Sequence, residues 1–444
     1  MTSSKNDTVL SALRACPADG GWLIAYSGGL DSTVLLHAAH RVALDRGISL
    51  RALHINHQLS PDAQAWQVHC AEQCAALERE HTCERVEVLN QGEGIEAAAR
   101  EARYRVFTKH LAAGEQLLLA HHQDDQAETL LLRLMRGAGP AGLGAMQAQR
   151  PLGAGTLKRP LLALNRVDLE AYALAQGLSW IEDESNASMD FDRNFLRHQV
   201  MPQLAQRWPG FTQRWQQSAS LCQQSAELDG RQAAEDLLAC QALQEVWGWS
   251  ICLDHLRPLG VYRRGNLLRH WLSELGLAAP EHKHLQQFES QLLDAREDAK
   301  SHVVWGRGAE RVKLCHYRQR LFVLPYGMDV PVPTQVLWDT SEPLQWGAWL
   351  LSAVPVSLGE VGISLPQSVV VRSRVGGERC KPQGRGHSQS LKKLLQEYSI
   401  EPWLREQLPL LFIDGRLAAV ADRWVCDGFV EAQTQGYRLI WQRR

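Results

Sequence analysis

The sequence predicts an α/β protein in three parts: a parallel, doubly wound N-terminal domain, a helical middle domain and a small α+β C-terminal domain. Three observations carry that reading. Up to about residue 185, short apolar runs alternate with stretches of helical period, and such βαβα alternation builds a parallel sheet covered on both faces. From about 190 to 320 the pattern turns helical and rich in Gln, Leu, Ala and Trp. Beyond 350, short strand-like runs surround one helix near 388–398. A chain of 444 residues exceeds one ordinary core, so boundaries are expected at 1–215, 216–330 and 350–444. Prolines at 325, 331, 333 and 343 mark the approach to, and the course of, a linker over 331–349.

The first part opens with Trp22-Leu23-Ile24-Ala25-Tyr26, short and apolar. Ser27-Gly28-Gly29-Leu30-Asp31-Ser32 separates it from Thr33–Ala39, where Val34, Leu35 and Ala38 share one helical face. The pattern is strand, tight turn, helix. Such a turn leaves backbone N–H groups unpaired at a helix N-terminus, where the dipole also favours negative charge. Two glycines let the main chain approach a ligand closely, and Ser27 and Ser32 add hydroxyls. The ligand this suits is phosphate. No Gly-Lys pair occurs in the chain, which excludes a Walker A loop. Instead Asp31 lies in the loop, and an acid beside phosphates calls for a bridging Mg²⁺.

Further strands are expected at 50–55, 86–89 and 116–120, with helices around 62–80 and 95–112 and another from Asp124. The turns after the strands ending at Tyr26, Ile55 and Ala120 leave the same carboxyl edge, where such sheets bind ligands. The last turn enters "AHHQDDQAET", residues 120–129. With a helix from Asp124, Asp125 and Glu128 share a face beside Thr129, and His121 precedes the turn. Acids at a helix N-terminus are ordinary dipole partners. Two histidines followed by three acids at the mouth of a phosphate site exceed that role. The acids suit either Mg²⁺ or the ammonium of an amine substrate, and His121 suits proton transfer.

Composition narrows the class. Hydrophobic content of 45% and charged content of 22% fit a globular protein. No apolar run is long enough for a signal peptide or a bilayer span, so a cytoplasmic location is expected. Ten cysteines are scattered without a Cys-x-x-Cys pair, which argues against a disulfide framework, and Cys70 and Cys74 read as helix packing. Trp208, Trp215, Trp247, Trp249 and Trp271 are expected to build the core of the middle domain. Net charge is only −2, yet residues 371–397 carry seven Lys/Arg against two Glu. That regional excess points to RNA docking through Arg379, Lys392 and Lys393.

Ser27–Ser32 resembles the pyrophosphate loop of the N-type ATP pyrophosphatases. The second motif narrows the resemblance: A-H-x-x-D-D-x-x-E-T, followed by R-x-x-R-G from Arg133, is similar to the tRNA(Ile)-lysidine synthases. "HINHQLSPDA" (54–63), "IEAAAREARYRVF" (95–107), "KRPLL" (158–162), "WIEDESNASMDFDRNFLRHQVMP" (180–202) and the stretch 374–411 resemble the same family, whereas 215–330 does so loosely. Gln58 stands where many members have glycine, and Cys380 with "QGRGH" varies a loop usually richer in plain basic residues.

The resemblance implies an enzyme that attaches L-lysine to C2 of the wobble cytidine in the CAU anticodon of isoleucine tRNA. ATP first adenylates the C2 oxygen, and the lysine amine then displaces AMP. Ser27, Gly28, Gly29, Leu30, Asp31, Ser32, Asn56 and His57 would hold ATP, with Mg²⁺ on Asp31. Asp125 and Glu128 would hold lysine, assisted by His121. Asp183, Ser185, Asn186, Arg193, Asn194 and Arg197 surround Phe191; capping explains part of this density, and contacts to RNA, through Arg193 and Arg197, or to ATP explain the rest. A tRNA thiolase would need a reactive cysteine pair or an iron–sulfur site, against which the missing Cys-x-x-Cys counts. A non-catalytic RNA binder would not need Asp31, Asp125 and Glu128 intact.

Overall fold

A computed structural model describes the chain apart from residues 1, 59, 89–94, 184–187, 246–247, 295–300, 309–310, 325–329, 358–359, 361, 432–435 and 444. It divides into two compact units, Met1–Leu228 and Asp229–Arg444. The boundary expected at 215/216 and the division at 228/229 both fall inside one helix, Phe211–Ala239.

The first unit runs α1 (Thr2–Arg14), β1 (Trp22–Ala25), α2 (Leu30–Arg46), β2 (Leu50–Asn56), α3 (Ala63–Ala76), β3 (Glu80–Arg85), α4 (Ile95–His110) and β4 (Gln116–Leu118). It continues through α5 (Gln123–Met135), α6 (Pro140–Leu143), β5 (Gln149–Leu152), β6 (Gly155–Lys158), α7 (Arg166–Ala175) and α8 (Asp192–Phe195). The six strands lie in the order β3-β2-β1-β4-β6-β5. All neighbours are parallel except β5 and β6, which form a hairpin. Trp22, Leu23 and Ile24 are fully buried, because β1 is covered by helices on both faces and therefore carries an unbroken apolar run. The third strand is Glu80–Arg85 rather than the expected 86–89, of which residue 89 lies outside the described residues. It is the half-buried edge of the sheet, so its sequence, EHTCER, shows no apolar run.

β1 has β2 on one side and β4 on the other. The chain thus reverses its direction of travel across the sheet between β1 and β4, and a crevice opens at their carboxyl ends. The turns after both strands line it.

The second unit is helical at Val261–Glu274 and His282–Gln287, as expected, and also holds a sheet the helical pattern did not announce. Its five antiparallel strands, Leu243–Glu245, Gly248–Cys252, Arg320–Leu324, Val312–Tyr317 and His302–Trp305 in spatial order, pack on the helices through Leu267, Leu268, Trp271, Phe288 and Leu321. Its described residues also form two further five-stranded sheets, a two-stranded ladder of Arg379–Cys380 with Gln389–Ser390, and the helix Leu391–Glu397. The expected linker 331–349 is instead part of that core. Gln335–Asp339 and Leu344–Trp346 are strands, and Trp338 and Trp346 are buried. Its prolines sit beside the strands, where no ladder N–H is lost.

The tryptophans divide. Trp271 is buried in the middle core and Trp249 packs against it. Trp208 is 54% exposed in the first unit, and Trp215 stands edge-on to Phe211 there, so neither builds the middle core. Trp247 lies outside the described residues.

Candidate active site

The loop after β1 is held open by its own bonds. Gly28 has φ +84°, a left-handed conformation, and a Cβ there would lie 2.6 Å from Cδ1 of Ile181 and 3.0 Å from Sγ of Cys70. Its carbonyl accepts from the Ile181 amide at 2.9 Å and from the Thr33 hydroxyl at 3.3 Å. Ser32 Oγ donates to the Gly29 carbonyl at 3.0 Å and lies 3.0 Å from Ser27 Oγ. Ser32 is therefore spent on shaping the loop. Gly29 caps α2 with no side-chain hydrogen bond, so the first-turn amides of Leu30, Asp31 and Ser32 are the donors aimed at an anion.

Asp31 opens α2 on the crevice side. Its Oδ1 is buried with no hydrogen-bond partner, and its Oδ2 lies 3.6 Å from Nε2 of His122. A lone carboxylate oxygen beside a phosphate-sized nest fits Mg²⁺, which takes one or two carboxylates and fills its shell with phosphate and water. Among the described residues no group of three or more His, Cys, Asp or Glu forms a ready-made metal cage.

The turn after β4 delivers the second half. His122, not His121, is its hub. The His122 ring is almost fully buried, 3.5 Å from Asp124 and 3.4 Å from Asp125, in addition to Asp31. Burial works against its charge, but the contacts with Asp124 and Asp31 and the nearby Asp125 charge together push its pKa up to about 10. His122 is therefore a cation binding three acids together. His121 is the opposite. Burial, joined by Arg159, Arg193 and Arg103 and opposed by Asp125, pushes its pKa well down. Its Nδ1 accepts from Nε of Arg159 at 3.2 Å, so the imidazole is neutral and its basic nitrogen is engaged.

Asp125 and Glu128 do share a face of α5, but arginines occupy them. Glu128, 1% exposed, receives Nε of Arg193 on Oε2 and Nε of Arg197 on Oε1, both at 2.7 Å. Arg197 also reaches Asp125 at 3.2 Å, and Arg193 lies 3.6 Å from it. The two arginines are four residues apart where α8 widens into a π turn, Leu196–Val200, so both point at one carboxylate. This corrects two expectations. Both oxygens of the buried Glu128 already accept arginine N–H groups, and Arg193 and Arg197 turn inward to the acids rather than outward to RNA.

The other expected residues distribute as follows. Asn56 is buried, and its amide pins the segment after β2, donating to the Ala63 carbonyl and to Gln67 while accepting from the Gln58 amide. Gln58 has φ +56°, which is why glycine suits this position. His57 Nδ1, just after β2, is buried with no partner, and burial with Arg103 and His54 pushes its pKa down to about 4, so the ring is neutral. Phe191 is exposed, Asn194 ties Nδ2 to the Ser188 carbonyl, and Ser185 and Asn186 lie outside the described residues. His122 and Asp124 belong to the expected run of two histidines and three acids but had no role of their own assigned, and Arg159 had none either. The His-His-x-Asp-Asp run contains the signal for the first two; Arg159 lies in the "KRPLL" motif, whose pattern alone does not say that its side chain reaches His121 from just after β6.

In the second unit, the ladder that pairs Arg379 with Ser390 leads directly into the helix bearing Lys392 and Lys393. Both lysines and Arg379 are exposed, while Leu391, Leu394 and Leu395 of the same helix are buried.

Three family profiles match the chain: a PP-loop domain over residues 3–204, a TilS substrate binding domain over 251–322 and a TilS substrate C-terminal domain over 369–441. Curated relatives match along nearly the whole length. A tRNA(Ile)-lysidine synthase of Alkalilimnicola ehrlichii is 40% identical, covering 98% of this chain and 96% of that one. Its counterpart from Serratia proteamaculans is 41% identical, covering 99% and 100%. That from Xanthomonas axonopodis pv. citri is 42% identical over 98% and 97%.

Proposed function

Because this chain belongs to the tRNA(Ile)-lysidine synthase family, we propose that it ligates L-lysine to C2 of the wobble cytidine in the CAU anticodon of isoleucine tRNA, consuming ATP and releasing AMP and pyrophosphate. The observation that carries the reading is the meeting, at one switch point, of a phosphate-shaped loop holding an unpaired Asp31 oxygen with an acid–arginine cluster.

The chemistry needs two stages. The C2 oxygen of cytidine is a poor leaving group, so it is first adenylated, and AMP then leaves as the amine attacks. The amides of Leu30, Asp31 and Ser32 hold the departing pyrophosphate at the positive end of α2. Asp31 would hold Mg²⁺, which supplies charge neutralisation at the phosphates when bound. Arg193 and Arg197, fixed by Glu128, set positive charge beside the same loop. Lysine brings an ammonium that must be held and must lose a proton, its ordinary pKa lying near 10.4. Asp124 suits the first task, since its side chain is 37% exposed at the crevice, while Glu128 is closed. His121, held neutral, suits the second only weakly.

The direct experiment incubates the protein with ATP, Mg²⁺, labelled lysine and isoleucine tRNA bearing CAU, followed by nucleoside mass analysis. Lysine bonded to cytidine is the expected product. Label that stays free while AMP accumulates would overturn the choice of nucleophile; no tRNA-dependent AMP would overturn the reaction.

A further inference from the structure

Outside the crevice, the second unit contains a cavity of about 360 Å³ lined by Arg372, Arg379 and Arg416 together with two cysteines, Cys380 and Cys426. Two of these arginines lie on aromatic rings: Arg372 is 3.8 Å over Phe412 and Arg416 is 5.0 Å over Phe429. The cysteines come from separate stretches of sequence brought side by side. Cys380 ends a short strand, and the chain after it runs along the turn that carries Cys426. Asp427 donates its amide to the Lys381 carbonyl at 2.7 Å, Gln383 donates to the Val425 carbonyl at 3.0 Å, and Pro382 pairs with Cys426. Alternation along the strand places Cys380 on the same side as Pro382, and hence beside Cys426. Both are free thiols, 6% and 3% exposed.

Their chemistry differs from that of the other buried thiols. The Cys426 thiol interacts directly with Cys380 and favours a thiolate there, assisted by the Arg385 charge, so Cys380 is pulled down and Cys426 pushed up. Burial alone pushes Cys74 up to about 11, and burial aided by nearby groups takes Cys70 to about 12 and Cys240 to about 11. One sulfur of the pair is a nucleophile beside arginines, and the next is a thiol able to resolve it.

We propose that Cys380 and Cys426 form a dithiol oxidation site, converted by a small hydroperoxide into one disulfide joining the two segments that line this cavity. The Cys380 thiolate attacks an oxygen of hydrogen peroxide and, with one proton taken up, leaves Cys380 sulfenic acid and water. The Cys426 thiol then attacks the Cys380 sulfur, its proton leaves with the hydroxyl as a second water, and the S–S bond forms. Two thiols are oxidised and one peroxide is reduced to two waters. The low exposure of both sulfurs selects a small oxidant over a bulky disulfide.

The test treats the reduced full-length protein with hydrogen peroxide at neutral pH, alkylates the remaining thiols and maps the peptides by mass spectrometry without reduction. The expected result is one cross-link between the peptides containing Cys380 and Cys426, lighter by two hydrogens, reversed by dithiothreitol and lost in both C380S and C426S. Before oxidation, a limiting alkylating agent should label Cys380 at least about tenfold faster than Cys70 or Cys74, following thiolate content. C380A serves if C380S does not fold, with thermal unfolding of each variant measured first. A cross-link elsewhere, Cys380 carried to sulfinic acid while Cys426 still alkylates, or no oxidation at either sulfur overturns the proposal. None of these readouts depends on lysidine formation, so this site and the ligase reading fail separately.

Discussion

The two charged regions of this molecule are built in opposite ways. In the crevice, Asp31, Asp124, Asp125 and Glu128 are answered by His122, Arg193 and Arg197 at 2.7–3.6 Å, mostly buried. On the Leu391–Glu397 helix and the nearby strand Arg379–Cys380, Lys392, Lys393 and Arg379 stand exposed, and Arg379 donates to the Ser388 carbonyl. A buried cluster uses its charges on one another and so fixes position; removing a member strands its partner in a low dielectric. An exposed patch keeps its charge for a partner and is screened by salt. The first arrangement suits chemistry and the second suits docking.

The sharpest way to break that comparison lies inside the crevice. Asp31→Ala should abolish adenylation while circular dichroism stays close to wild type; its thermal midpoint should fall only modestly, since Asp31 Oδ1 makes no internal hydrogen bond and Asp124 and Asp125 still face His122 once the Oδ2 contact is gone. Glu128→Gln should do nearly the same for another reason. It frees two arginines from a carboxylate that is 1% exposed, a loss on the order of 3–5 kcal/mol for a desolvated pair. Asp124→Asn should instead raise the lysine requirement yet still form adenylated tRNA when lysine is withheld. Rapid-quench measurement of the adenylated intermediate separates these outcomes. Adenylation surviving in Glu128→Gln but not in Asp124→Asn would reverse the roles given to the two acids.

A smaller effect should follow pH. The His122 pKa is raised from 6.5 to about 10 on folding. The stabilisation from its charge is therefore complete below about 6.5 and is lost as pH rises through 10. The difference in thermal midpoint between wild type and His122→Gln should shrink when measured at pH 7 and again at 10.5. A constant difference would remove the imidazolium from the centre of the cluster.

The smallest effect per residue belongs to the exposed patch. Replacing Arg379, Lys392 and Lys393 together with Ala should weaken tRNA binding without changing lysidine formation at saturating tRNA. Each lost phosphate contact should flatten the salt dependence by roughly 0.7–0.9 log units per log unit of salt. Wild-type affinity and slope in the triple variant would place docking elsewhere.

What the sequence disclosed follows the same division. The buried strand β1, the Gly-Gly turn and the two acids of α5 were legible, because full burial, a left-handed backbone and a helical repeat each leave a periodic or compositional mark. β3 was misplaced because an edge strand needs no apolar run. The strands Gln335–Asp339 and Leu344–Trp346 were hidden by neighbouring prolines, although their tryptophans enter the core. Within the site, a carboxylate's neighbours across the fold were invisible. Nothing in "DDQAET" says that Glu128 will be claimed by arginines 65 and 69 residues further on. Local pattern identified the acids; tertiary geometry assigned their partners.

The bonds around Gly28 have a thermodynamic consequence. Its carbonyl is already engaged by Ile181 and Thr33, and both serine hydroxyls are tied within the loop. Immobilising backbone costs about 1–2 kcal/mol per residue in lost freedom. Here that entropy is surrendered when the domain folds, not when a nucleotide arrives. Binding then draws on little ordering of the loop, so a larger share of the contact energy remains as affinity, or for distorting the phosphates toward reaction.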